Sequence, residues 1–228
     1  MLRLVIGNKN YSSWSMRPWV LLRQAGIEFE EVLLRFDSFA PDSQFKKAIA
    51  QYSPVGRVPV LLMDDFAVWD TLAIAETLAE KFPLKNLWPA DANARARARS
   101  VCAEMHSGFT ALRSHCPNNI EARLPHIGQL LLRDNAGVRA DVARIETIWT
   151  ELLRQHGGPF LFGKQFTIPD AYYAPVAMRF TTYGLSQNPQ VNAYIAHLSA
   201  APGVAAWIAD ALAEREFLEI EEPYRLGR

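Results

Sequence analysis

Ser53-Pro54-Val55-Gly56-Arg57-Val58-Pro59-Val60-Leu61-Leu62 is the stretch on which the fold turns. A turn built on Ser-Pro and Gly runs straight into an apolar strand that carries a proline near its start. Proline has no N–H, so it sits at the first residue of a strand, on an edge, or at a bulge. X-Pro is also the one bond whose cis form costs only about 0.5–1 kcal/mol. With Val58-Pro59 cis, the N–H and C=O of Val58 turn outward, where an extended peptide can pair with them. With the bond trans, Pro59 begins an edge strand. These ten residues leave both readings open.

On the N-terminal side, Leu2 to Ile6 reads as a buried strand stopped by Gly7-Asn8. A polar loop, Asn10 to Ser15, then enters a helix. Ser12, Ser13 or Ser15 can cap it, Pro18 suits its first turn, and Gly26 closes it in a left-handed conformation. Phe29 to Leu34 is a second strand, which completes a right-handed βαβ unit. Pro41 to Gln51 holds a short, irregular helix. Val58–Leu62 and Phe66–Trp69 form a hairpin around Asp64-Asp65, and Asp70-Thr71 opens a helix that ends before Pro83. This order, β-α-β-α-β-β-α, describes a small α/β domain.

Pro83 to Ala90, bounded by prolines, reads as a linker, and the periodicity beyond it is helical. Val101, Met105, Phe109 and Leu112 form one stripe; Val142, Ile145, Ile148, Trp149 and Leu152 form another. Thr167-Ile168-Pro169-Asp170 is a capping box opening an almost wholly apolar helix, the signature of a helix at the centre of a core. Helices over 191–199 and 204–214 follow, then a mixed tail. The fold class is therefore α/β plus all-α.

Lys+Arg and Asp+Glu both number 24 in 228 residues, so the chain has no overall basic field for nucleic acid or an anionic membrane. Cys102 and Cys116 sit in helical, apolar context without a Cys-x-x-Cys pair, which fits reduced, buried thiols. The five histidines form no metal-ligand cluster. A strand follows Met1 directly and no apolar run approaches membrane-spanning length, so the expectation is a cytoplasmic protein.

Three features carry chemistry. The serine cluster lies at a helix start, where unpaired N–H groups favour an anion. A hydroxyl there can donate to a thiolate. Lowering a thiol from about 8.5 to near 6.5 requires roughly 2.7 kcal/mol, within reach of one charge-assisted hydrogen bond plus a helix end. Val58-Pro59 is the second feature. Trp69-Asp70-Thr71 is the third: its helix start can hold an α-amino-acid group, carboxylate on the Thr71 N–H and hydroxyl, ammonium nearer Asp70. Each also has a plain structural reading as a cap or an edge.

In this order the three features resemble the cytosolic glutathione transferases. Residues 1–82 resemble their thioredoxin-like domain, 83–90 the linker, and 91–228 the helical C-terminal domain. Ser12-Ser13-Trp14-Ser15-Met16-Arg17 is similar to the Ser-Ser-Cys-Ser-x-Arg start of the zeta class, whose activity includes maleylacetoacetate isomerisation. Here Trp14 stands at the cysteine, which argues against thiol–disulfide exchange. The resemblance implies glutathione as co-substrate and no metal, with Ser12, or alternatively Ser13, at its thiol. Val58 would pair by its backbone with the cysteinyl residue, on the edge that Pro59 shapes; Asp70 and Thr71 would hold the γ-glutamyl end, and Gln44, Lys47 or Arg57 meet the glycyl carboxylate. A hydrophobic electrophile would lie against Trp14, Met105, Phe109 and Arg113. The expected activity is conjugation. A glutathione-dependent isomerase and a non-catalytic binding or regulatory protein are the alternatives, and a homodimer is the family's usual assembly.

Overall fold

The computed structural model describes all 228 residues. The first domain runs β1 (Leu2–Ile6), α1 (Ser13–Gln24), β2 (Glu30–Leu33), α2 (Gln44–Ile49), β3 (Val60–Met63), β4 (Phe66–Trp69) and α3 (Thr71–Lys81). Its sheet has the order β2-β1-β3-β4, with β1 parallel to β2 and antiparallel to β3. The register Leu4↔Leu61 and Val5↔Val60 shows why these strands read as apolar runs. Successive side chains point to opposite faces, and both faces are covered. Leu4, Ile6 and Leu61 join the large core that continues into the helices, whereas Val5, Val60 and Leu62 pack with Phe36, Phe45 and Ile49 on the α2 side.

The second domain contains α4 (Ala92–Ser107), α5 (Thr110–His115), α6 (Pro125–Asp134), α7 (Ala136–His156), α8 (Ile168–Tyr183), α9 (Pro189–Ala200) and α10 (Pro202–Glu214). As its composition predicts, α8 is enclosed nearly all round. Asp170, fully buried, accepts from the Thr167 N–H at 2.9 Å, the Leu161 N–H at 3.0 Å and the Tyr194 hydroxyl at 3.2 Å. These donors hold the start of the helix and the preceding loop on one carboxyl group.

Two readings need correction. Pro18 lies inside α1 rather than in its first turn, because the helix already starts at Ser13. The stripe from Val101 to Leu112 is not one helix: Gly108 ends α4 and Phe109, at φ 54°, turns the chain into α5. The two domains meet along α1, which packs on α8 and α10. Gly203 permits the closest approach, since a Cβ there would fall 2.7 Å from the Val20 carbonyl oxygen. Trp19 and Trp207 pack edge to face across this seam, 5.2 Å between ring centres.

Candidate active site in the cleft between the domains

The Ser53–Leu62 stretch shapes the cleft as a turn followed by an edge. Gly56 takes φ +60° and its N–H donates to the Ser53 carbonyl at 3.2 Å. Lys46 on α2 ties the turn down by donating to the Gly56 carbonyl at 2.9 Å. Val58-Pro59 is cis. The main chain of Val58 bonds to no other backbone group, so its N–H and C=O are available.

Two cavities of about 440 and 560 Å³ lie side by side here, with Trp14, Arg57 and Val58 in the walls of both. Ser12, Ser13, Lys46, Arg113 and Arg179 also line the first, whose apolar side is Phe36, Phe39 and Phe45. Asp70, Thr71, Trp69 and His106 line the second. One extended edge thus joins a hydroxyl-bearing helix start to the pocket of Asp70 and Thr71.

Ser12 is the N-cap of α1, accepting from the Ser15 N–H at 3.4 Å. Its Oγ lies 2.7 Å from the Oγ of Ser15, which in turn accepts from the Gly7 N–H. The Ser12 hydroxyl donates to Ser15 in this pair and lines the cleft, where a thiolate would be an alternative acceptor for its proton. Ser13 accepts from the Arg179 guanidinium at 3.3 Å and keeps its own proton to give.

Arg179, on α8, is buried; its three hydrogen bonds all reach neutral oxygens, on Cys116, Pro175 and Ser13. Burial, then repulsion from Arg17, lowers it to about 10. Arg17 is also buried, stacked between the rings of Trp14 at 4.1 Å and Tyr172 at 4.8 Å. The cleft therefore carries an excess of positive charge beside the serines, the sign that stabilises a thiolate.

Asp70 caps α3 through the Leu72 N–H at 2.9 Å and adopts φ 73°, ψ 130°, a strained conformation for a residue with a side chain. Its other oxygen is 3.2 Å from Nε2 of His106. Desolvation lowers His106, keeping it mainly neutral near pH 7. The Thr71 hydroxyl differs from expectation: it is buried and accepts from Tyr172 at 2.9 Å and Arg17 at 3.4 Å. Its proton and the Thr71 N–H remain for a ligand.

The structure brings together Ser12, Ser13, Trp14, Arg57, Val58, Asp70, Thr71 and Arg113, with Pro59 in the wall beside Asp70. It does not bring in Gln44 or Lys47, which lie exposed on α2 away from both cavities; Lys46 faces the cleft instead. Met105 and Phe109 are core residues, because α4 presents His106 to the cleft and the break at Gly108 turns Phe109 inward. Sequence reasoning also missed Arg179, hidden in an apolar helix, and Glu221 in the tail, which has no periodicity to mark it. Tyr11 is no donor for a ligand: it lies in a bond network with Glu222 and Leu218, and burial raises it to about 12. Cys102 and Cys116 are buried and unpaired.

Residues 11–81 match the family described as glutathione S-transferase, N-terminal domain, and residues 90–210 its C-terminal domain. A probable maleylacetoacetate isomerase of Caenorhabditis elegans is 29% identical over 182 residues, 78% of each chain. A zeta-class glutathione S-transferase of Euphorbia esula is 26% identical over 169 residues, 72% of this chain and 70% of its own. Among solved structures, a glutathione transferase homolog from Burkholderia with bound glutathione superposes with a TM-score of 0.67 at 24% identity, covering 94% of this chain and 99% of that one. Both halves match in chain order and together take in most of its length: the chain belongs to the glutathione S-transferase family.

Proposed function

We propose that the protein binds glutathione along the Val58 edge, holds its sulfur as a thiolate beside Ser12, and adds it to an electrophile seated against Trp14 and Arg113. The observation that carries this reading is the free main chain of Val58, in the wall common to both cavities. Laid along that edge, a tripeptide has the serines in one adjoining cavity and Asp70 and Thr71 in the other. The γ-glutamyl carboxylate takes the Thr71 N–H and hydroxyl, its ammonium takes Asp70, and Lys46 or Arg57 takes the glycyl carboxylate. The work is electrostatic stabilisation and proximity.

The thiolate is stabilised by the Ser12 proton, with Ser13 and Arg179 behind it. A charge-assisted hydrogen bond contributes about 1.5–3 kcal/mol, so Ser12→Ala should raise the bound thiol by about one to two pH units. Ultraviolet absorbance of the thiolate against pH measures this. An unchanged titration removes Ser12 from the role. A titration equal to that of free glutathione in the unaltered protein would favour a non-catalytic binding protein.

The similarity to a protein named as a maleylacetoacetate isomerase supports a second reading, in which glutathione adds to a cis double bond and is released again. Turnover of maleylacetone against conjugation of an aryl halide separates the two. A homodimer is carried as part of this reading, and static light scattering tests it.

A further inference from the structure

The chain after α10 folds back over the cleft. Arg35 pairs with Glu216, and Asn8 Nδ2 donates to the same carboxylate at 2.5 Å. Glu222 accepts from the Tyr11 hydroxyl at 2.7 Å and pairs with Arg225, which reaches Glu121 at 3.4 Å. Tyr224 donates to the His115 carbonyl at 2.8 Å, and Arg228 pairs with Glu121. Glu221 takes no part in these pairs. It is half-buried and lines the same cavity as Ser12, Ser13 and Arg179.

We propose that Glu221 is the base that accepts the thiol proton of the bound tripeptide. This rests on the glutathione reading and deepens it. The S–H bond breaks, its electron pair stays on sulfur, and the proton passes to a carboxylate oxygen of Glu221. After the C–S bond forms, that proton goes to the new carbanion, or to water where a halide is the leaving anion, and the carboxylate is restored. The surroundings suit the task. Burial raises Glu221 to about 7, Arg179 on α8 opposes that rise, and Glu222 on the same turn adds to it. A base works best with its pKa near the operating pH. The other charged or titratable groups around this cavity are Tyr11 before α1, Lys46 on α2, Arg57 before β3 and Arg113 on α5. Tyr11 is held protonated, and the three cations favour a carboxylate.

Glutathione binding is measured by titration calorimetry of the full chain, in two buffers of different ionisation enthalpy, to count protons released. Above about pH 7 an ionised Glu221 takes the thiol proton, and the thiolate formed beside it strengthens its hold on that proton. Release from the unaltered protein should therefore stay well below one proton per glutathione between about pH 7 and 8. In Glu221→Gln the thiol proton has no carboxylate to go to, so over the same range release should approach one, declining only as pH nears that of the free thiol, about 8.5. Glu219→Gln, on the exposed side of the same turn, should follow the unaltered protein. Equal release from the unaltered protein and E221Q would overturn the role of Glu221 while leaving glutathione binding intact. Absence of binding to the unaltered protein would overturn both. Should E221Q not fold, the unaltered protein decides alone, since release near one proton per glutathione between about pH 7 and 8 excludes this base.

Discussion

Asp70 performs two tasks with its two oxygens, one capping α3 and one facing His106 and the second cavity. An asparagine keeps the cap, because Asn and Asp are equally good there. Asp70→Asn should therefore leave the melting temperature nearly unchanged while weakening glutathione about tenfold, the loss of one partly exposed charge contact of roughly 1.4 kcal/mol. Titration calorimetry and thermal melts on the same preparation check it; a fall in stability without a fall in affinity would make Asp70 a cap alone. That doubling of tasks limited what local reading could say, since Ser12 and Asp70 are caps whether or not they bind anything. The serine cluster, Val58-Pro59 and Asp70-Thr71 were legible because turn chemistry is local. Lys46 in place of Gln44 and Lys47, and His106 in place of Met105, were not. Neighbours on a helix point about 100° apart, and only the packing partner decides which one faces the cleft. Arg179 was the least legible, a cation on a helix whose every other neighbour signals core.

The apolar runs of β1 and β3, the Gly26 stop and the capping box at Thr167–Asp170 each left a local mark, and each element appears where that mark puts it. Pro18 and the break at Gly108 were misread for one reason. A helix is bounded by its cap and its backbone dihedrals, whereas apolar spacing runs on across a kink when both segments face one core. The seam between α1 and α10 left no mark beyond a glycine. There the approach is tight enough that an added Cβ at Gly203 would lie 2.7 Å from the Val20 carbonyl and 3.0 Å from the Gln24 N–H. Gly203 also donates to the Gln24 side chain at 2.9 Å. Gly203→Ala must push the helices apart, at a cost of about 1–3 kcal/mol. Urea denaturation should show the midpoint moving down with the slope unchanged, and an unaltered midpoint would mean that the seam yields freely.

Joined along that seam, the two domains share one core: Leu4, Ile6 and Trp19 belong to the same buried cluster as Trp149, Tyr172 and Trp207. Polar ties reinforce it. Lys9, in the loop before α1, pairs with Asp210 at 2.6 Å and Glu31 at 2.8 Å, while Glu214 accepts from the Lys9 and Asn10 N–H groups at 2.6 and 3.1 Å. The loop that supplies Ser12 is therefore held by α10 and the tail, so the placement of Ser12 in one domain depends on the folding of the other. Such a chain should unfold as a unit, although its size would permit two steps. Tryptophan fluorescence samples Trp14, Trp19 and Trp69 in the first domain and Trp88, Trp149 and Trp207 beyond it, whereas far-ultraviolet circular dichroism is dominated by the helices of the second. We expect the two urea curves to coincide. Glutathione at one hundred times its dissociation constant should shift both together by about 2.7 kcal/mol. Two separate transitions, with only the fluorescence one moved by glutathione, would show that the site is built by the first domain alone and that the seam merely docks the second against it.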